Sequence, residues 1–232
     1  METLQKQIEK TGIILSDEQL TQFNTLLQEL QNKNKEFNLT AIVETEDIIL
    51  KHFVDSLSVT PYIPKNTTTF IDVGTGAGFP GLPIKIVRPE INMTLLESIL
   101  KKTSFVNQVI KTLNLSKIKA INGRAEEAGQ DLRYREQFDV AVARAVAELS
   151  VLVEYTLPFV KIGGIFIAQK KTAQEEIDKA GKAIETLGGQ IKDIIPVTIL
   201  GLEHRQIVII EKIKETPEKY PRRPGMALKK PI

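Results

Sequence analysis

Residues 70–81 read Phe-Ile-Asp-Val-Gly-Thr-Gly-Ala-Gly-Phe-Pro-Gly. A short apolar run carrying one acid, Asp72, feeds straight into Gly74, Gly76 and Gly78. Glycine is needed where the chain turns tightly and its backbone touches a ligand with no Cβ in between. Pro80 and Pro83 follow where a helix would begin, the one place a helix accepts proline. The stretch predicts a strand, a glycine loop and a helix whose first N–H groups face a ligand.

Two cofactor classes use that geometry. Gly76-Ala-Gly78-Phe-Pro-Gly81 satisfies the dinucleotide fingerprint, a weak signal when it stands alone. A pyrophosphate site, however, has no use for an acid in the strand just before the loop. Asp72, two residues ahead of Gly74, matches the Asp-x-Gly-x-Gly-x-Gly loop of S-adenosylmethionine-dependent methyltransferases. Their cofactor is a cation, which a carboxylate favours. The structural alternative is that Asp72 caps the loop by bonding its backbone.

Working outward, the pattern alternates strands and helices. Strands are expected at 93–97, 118–122, 138–143 and 165–169, and helices at 101–113, 149–159 and 173–187. Asn114 and Gly188-Gly189 end two of those helices. Two last apolar runs, 194–200 and 206–211, are close enough to pair as an antiparallel hairpin. Ahead of the core, Ser16 and Gln19 form a capping box, followed by Leu20, Phe23, Leu27 and Leu30 at helical spacing. A second helix is expected over 47–59, with Ile49, Phe53 and Leu57 on one face. The fold class is therefore α/β: a Rossmann-like, class I methyltransferase sheet with a terminal antiparallel hairpin and an N-terminal helical extension. The expected boundaries are 1–62 for the extension, 63–214 for the methyltransferase domain and 215–232 for a basic tail. A dehydrogenase would continue with parallel strands and a substrate domain, for which no chain remains.

Composition narrows the chemistry. With no cysteine among 232 residues, disulfides, thiolate metal sites and cysteine nucleophiles are excluded. No metal site is expected. No run approaches the ~20 apolar residues that span a bilayer, and the first ten residues lack a signal peptide's apolar core. A cytoplasmic, monomeric protein is the expectation. Between Lys212 and Ile232 stand seven basic and two acidic residues, giving that segment +5 and leaving −3 for the rest. Such a segment suits a polyanion, Arg222 and Arg223 being its central cations; a merely solvated tail is the alternative.

In an open α/β sheet the ligand lies beyond the carboxyl ends of the strands, near the first one. Glu97 ends the second strand, where it can bind both ribose hydroxyls. Ala125 and Glu126 follow the third strand, where an adenine edge would lie, although helix-start acids are common anyway. Arg144 ends the fourth strand, a lone charge at the mouth of a buried run.

Across nearly its whole length the chain resembles the glucose-inhibited division protein B family, bacterial 16S ribosomal RNA guanine-N7 methyltransferases. The segments that carry the resemblance are Phe-Asn-Leu-Thr-Ala-Ile (37–42), His-Phe-Val-Asp-Ser-Leu (52–57), residues 72–81 and Ile-Val-Arg-Pro-Glu (86–90). They continue with Gly-Arg-Ala-Glu-Glu (123–127), Ala-Arg-Ala-Val-Ala (143–147) and Tyr-Pro-Arg-Arg-Pro-Gly (220–225). The resemblance implies S-adenosylmethionine contacts at Gly74, Phe79, Ala125, Glu126 and Arg144. It also implies a guanine of small-subunit RNA as substrate, in the free RNA or a subunit precursor.

The missing residues fit that chemistry. Methylation of cytosine C5 needs a cysteine. Methylation of an exocyclic amine commonly uses an Asn/Asp-Pro-Pro-aromatic loop where this chain has Ala-Arg-Ala-Val. Guanine N7 already offers a neutral lone pair, so alignment supplies most of the rate. Arg124, Arg144 and Arg205 are the candidates for holding the base or its phosphates, with Arg144 the catalytic one. Lys170 and Lys171, ending the fifth strand, are further phosphate candidates or simply solvated. His52 and Asp55, three apart on one helix, read as a His–Asp bond tying the extension to the sheet, or as a functional pair. A methyltransferase of small molecules or proteins, and a non-catalytic RNA-binding protein on this fold, are the competing functions. Salt-dependent RNA binding and cofactor turnover separate them.

Overall fold

The computed structural model describes residues 4–171 and 174–232. Seven strands form one sheet: β1 (Thr69–Val73), β2 (Asn92–Glu97), β3 (Ile118–Asn122), β4 (Phe138–Arg144), β5 (Val160–Lys170), β6 (Gly189–Pro196) and β7 (Gln206–Lys212). Their order is β3-β2-β1-β4-β5-β7-β6. β1 to β5 run parallel, and β7 inserts antiparallel between β5 and β6. The order reverses beside β1, so the switch point stands where the glycine loop leaves the sheet. This is the class I S-adenosylmethionine-dependent methyltransferase sheet with its terminal hairpin.

Period-two alternation divides the core into two layers. From β1, Phe70 enters one layer and Ile71 and Val73 the other; from β4, Val140 and Val142 separate likewise from Ala141 and Ala143. The first layer is covered by α5 (Gly81–Val87), α6 (Leu100–Thr112) and the N-terminal helices, the second by α8 (Leu149–Thr156) and α9 (Gln174–Thr186). The position-173 start expected for α9 falls outside the described residues. Asn114, just beyond α6, takes the left-handed φ of 50° that ends it.

The extension is α1 (Leu4–Glu9), α2 (Asp17–Phe37), and a continuous segment of α3 (Thr45–Ile48), a π-helical stretch (Ile49–Val54) and α4 (Asp55–Leu57). Ser16 and Gln19 make the reciprocal capping box. Phe23, Leu26 and Leu30 of α2 are fully buried, whereas Leu20 and Leu27 lie at the margin. Phe23 meets Phe53 with ring centroids 5.3 Å apart, and each such buried side chain contributes about 1.5–3 kcal/mol. The wide turns at 49–54, which the spacing reads as ordinary helix, carry His52.

The segment after β7 folds back on the sheet rather than standing off as a solvated tail. Lys212, counted among its cations, is fully buried and donates to the Leu157 carbonyl and Thr216 Oγ1, with Glu136 3.0 Å away. Arg135 donates to the carbonyls of Thr216 and Tyr220, and Gln130 to those of Glu218 and Pro221. Arg222 forms a two-pronged pair with Glu154, which is wholly buried. That pairing removes Arg222 from the free cations read in the sequence. A short helix, α10 (Met226–Lys229), follows. Among the described residues, no helix is long and apolar enough to cross a membrane.

Candidate active site

The glycine loop is shaped by what it must pass. Gly74 has φ 74°, and a Cβ placed there would lie 2.7 Å from Val146 Cγ2. The N–H groups of Gly74 and Thr75 both donate to the Leu96 carbonyl, clamping the loop onto β2. Two carboxylates answer other loop donors. Asp72 Oδ2 accepts from Thr75 Oγ1 at 2.6 Å and from Gly81 N at 2.8 Å, while Oδ1 is buried without a partner. Glu97 Oε2 accepts from Gly76 N at 2.9 Å, and Oε1 from Ile99 N at 2.8 Å. Burial pushes the Asp72 carboxyl up to about 6 against the opposing pull of the Thr75 bond. The loop-capping role of Asp72 is thus present in the structure.

Beside the loop lies a cleft of about 220 Å³, lined by Val73, Gly74, Leu96, Gly123, Arg124, Ala125 and Glu126. Its far wall is the returning C-terminal segment, with Gly225 and Leu228, and the Val146-Ala147 turn. Glu126 Oε1 accepts from Gly225 N at 3.0 Å, fastening that wall. Burial and the neighbouring Glu126 push the Tyr155 hydroxyl up to about 12, so it stays a neutral donor. Two carboxylates beside the loop would repel a pyrophosphate and favour a cationic ligand. The cleft and the loop beside it could hold S-adenosylmethionine, with Glu97 available to a ribose, 123–126 to an adenine, and the Gly74 backbone open where no Cβ fits.

A second cluster stands at the end of β4. Arg144, almost wholly buried, donates from Nη1 to Asp55 Oδ2 at 2.9 Å and to the Lys51 carbonyl at 2.9 Å. Its Nη2 stands 3.1 Å from His52 Nδ1. A guanidinium only donates, so Nδ1 must carry the lone pair and the proton sits on Nε2, 2.9 Å from Thr40 Oγ1. Burial, reinforced by Arg144 and Arg205, depresses the His52 imidazole to about 3, leaving it neutral. His52 stacks flat on Phe79 of the glycine loop, centroids 4.5 Å apart, and Arg144 lies 5.6 Å from the same ring. Arg205, at the start of the terminal hairpin's last strand, reaches Asp55 Oδ2 at 3.4 Å.

The profile described as rRNA small subunit methyltransferase G matches residues 19–208. The chain belongs to this family. A protein named ribosomal RNA small subunit methyltransferase G from Acetivibrio thermocellus is 49% identical over 95% of this chain and 92% of its own. One of the same name from Clostridium botulinum is 48% identical over 99% and 97%. Among solved structures, a SAM-dependent methyltransferase from Aquifex aeolicus superposes with a TM-score of 0.57 at 14% identity, covering 79% of this chain and 98% of that one. Mitomycin 7-O-methyltransferase gives 0.58 at 15%, covering 80% and 60%. At such identities the likeness speaks for the fold alone.

Against the family's frame, the residues read from the sequence fall into three places. Gly74, Ala125 and Glu126 line the cleft, with Arg124 exposed on its rim, while Gly76 and Glu97 bond each other in the adjoining loop and Asp72 is buried beneath it. Phe79, Arg144 and Arg205 meet in the second cluster, so Arg124 is separated from the other two arginines. His52 and Asp55 also meet there, but each bonds Arg144 instead of the other, which replaces the His–Asp bond. Lys170 is corrected. Its Nζ is buried between the Ala147 carbonyl and Glu176 Oε2, so it holds the 145–148 turn and does not face a phosphate. Arg223 remains exposed.

Sequence reasoning missed Thr40, Val146, Tyr155, Gly225 and Leu228. Only the motif segments 37–42, 143–147 and 220–225 offered a signal, and none says which cleft it reaches.

Proposed function

We propose that this protein transfers a methyl group from S-adenosylmethionine to N7 of a guanine in small-subunit ribosomal RNA, acting as a monomer in the cytoplasm. Family membership supplies the reaction class, and the names of the relatives point to the RNA. The observation that carries the reading is the Arg144 cluster, which joins the cofactor loop, through Phe79, to the N-terminal extension, through His52 and Asp55.

When bound, the cofactor supplies an electrophilic methyl carbon on a sulfonium. Gly74 and Gly76 would let the backbone approach it, Glu97 would take the ribose hydroxyls, and Ala125 and Glu126 would hold the adenine end. Asp72 keeps the loop shaped and adds a negative potential near a cation. N7 attacks with its own lone pair, so no group on the chain must remove a proton. His52 fits that requirement, being neutral with its one ring lone pair committed to Arg144. Arg144 and Arg205 offer donors to the guanine O6 or an adjoining phosphate, offsetting charge that develops on the purine. Lys171, Arg223, Lys229 and Lys230 supply phosphate contacts.

The test is methylation of small-subunit RNA by the purified protein with S-adenosylmethionine, followed by mapping of N7-methylguanosine. A single modified guanine is expected. Methylation at an exocyclic amine, or none with either free RNA or subunits, would refute the reading.

A further inference from the structure

The segment Phe-Asn-Leu-Thr at 37–40 closes α2 and bonds the Arg144 cluster through Thr40. Phe37 points elsewhere. It is 43% exposed, although phenylalanine is costly to leave in water. Two ammonium groups attend its ring: Lys33 Nζ at 4.6 Å from the centroid and Lys101 Nζ at 5.2 Å. Lys33 is also paired with Glu36, whereas Lys101 lies over the Phe37 ring.

The turn that follows the ring is pinned by its own hydrogen bonds. Asn34 and Thr40 exchange two hydrogen bonds of 2.9 Å across the turn, and Asn38 takes the left-handed φ of 44° between them. Thr40 is fastened to His52, three residues beyond Phe37. Lys101 opens α6 four residues after Glu97, the ribose acid, and exposed Ile99 and Leu100 fill the interval. An exposed aromatic face flanked by two ammonium groups therefore stands between Thr40, which bonds the Arg144 cluster through His52, and the helix that follows Glu97.

We propose that Phe37, with Lys33 and Lys101, is a stacking platform for an unpaired nucleotide of the RNA substrate, next to the methylated base. The chemistry favours RNA over a protein partner. The ring offers a π-face to a base, and the lysines offer charge to the phosphates on either side, the combination that single-stranded nucleic acid uses. Pre-organisation by the Asn34–Thr40 pair lowers the ordering cost of docking. The proposal rests on the RNA methyltransferase reading, and goes beyond it in assigning a substrate contact outside both the cofactor cleft and the arginine cluster.

The chain has no tryptophan, so Phe37→Trp introduces a single indole reporter. Titration with an unpaired oligoribonucleotide of about ten nucleotides is expected to quench the indole emission by stacking. In methylation of small-subunit RNA, Phe37→Ala raises KM for RNA roughly five- to hundredfold, the range of base–aromatic stacking. It changes kcat less than twofold and leaves cofactor affinity alone; Phe37→Tyr restores KM. Lys101→Gln lowers the salt slope of RNA binding by about one contact. Unquenched indole, or an unchanged KM in a folded Phe37→Ala protein, would overturn the platform while leaving the reaction assigned. Quenching of the Phe37→Trp protein by RNA, together with wild-type protein that methylates none of it, would overturn the reaction and keep the platform.

Discussion

Replacing Asp55 by Asn removes one charge from the centre of the arginine cluster and little else. Asp55 is 1% exposed and the Arg144 side chain 8%, so the pair is screened by protein rather than water. Breaking a buried ion pair by neutralising one partner costs about 3–5 kcal/mol, because the other charge is left without compensation. Here two cations share Oδ2, Arg144 at 2.9 Å and Arg205 at 3.4 Å, so the loss also sets two guanidiniums against each other. Burial already pulls the Arg144 guanidinium below its usual range, with Asp55 the principal group holding it up. Asn keeps the volume and one acceptor oxygen, which places the expectation at the lower end, about 3 kcal/mol. Arg205 is 23% exposed, and Arg205→Ala should cost about 0–1 kcal/mol. Urea unfolding at pH 7, followed by circular dichroism, measures both. A double-mutant cycle with Arg144→Met then isolates the coupling. A loss below about 1 kcal/mol for Asp55→Asn, or equal losses for Asp55→Asn and Arg205→Ala, would refute a buried, charge-dependent cluster.

Gly74→Asp should abolish S-adenosylmethionine binding in calorimetry, since its Cβ would sit 2.7 Å from Val146 and its charge in the cleft; wild-type affinity would reject the site. Glu97→Ala should weaken cofactor binding by roughly 1.5–3 kcal/mol, and an unchanged dissociation constant would remove Glu97 from the ribose. With His52 neutral down to about 3, single-turnover methylation between pH 6 and 9 should show no acidic limb that disappears in His52→Asn. Stability shows the linkage directly: the unfolded histidine takes up a proton near 6.5 and the folded one does not, so this contribution falls as pH drops below 6.5 and is smaller in His52→Asn. In the C-terminal segment, Arg222→Ala should lower the unfolding temperature by breaking the Glu154 pair. Neutralising Arg223, Lys229 and Lys230 should instead flatten the salt dependence of RNA binding; equal slopes would leave those cations merely solvated.

Much of this architecture is legible without coordinates because its signals are local. A glycine loop after an acid-bearing strand, apolar runs and a capping box are each set by a few adjacent residues, and most recur at their expected place, β3 at the very residues anticipated; the run expected at 194–200 is instead β6 at Gly189–Pro196, its register set by pairing with β7. Strand-end positions follow from topology, so Glu97 and Arg144 could be placed at the carboxyl edge of the sheet, and Ala125 just beyond it, from their order alone. What could not be read is partnership over long separations. Arg144 and Asp55 lie 89 positions apart, Arg222 and Glu154 lie 68 apart, and Gly225 and Glu126 lie 99 apart. Residue type marks Lys170, Lys212 and Arg222 as cations, but only packing decides that each is committed to an internal acceptor while Arg223 stays in water. The charge pattern of the last 21 residues suggested a tail; burial of Tyr220, Pro221 and Ala227, with Gly225 and Leu228 on the cleft, makes it a wall instead. Local propensity builds the elements and their ends. Which side chain meets which is settled by the tertiary fold, because a buried charge must find its partner wherever the chain happens to return.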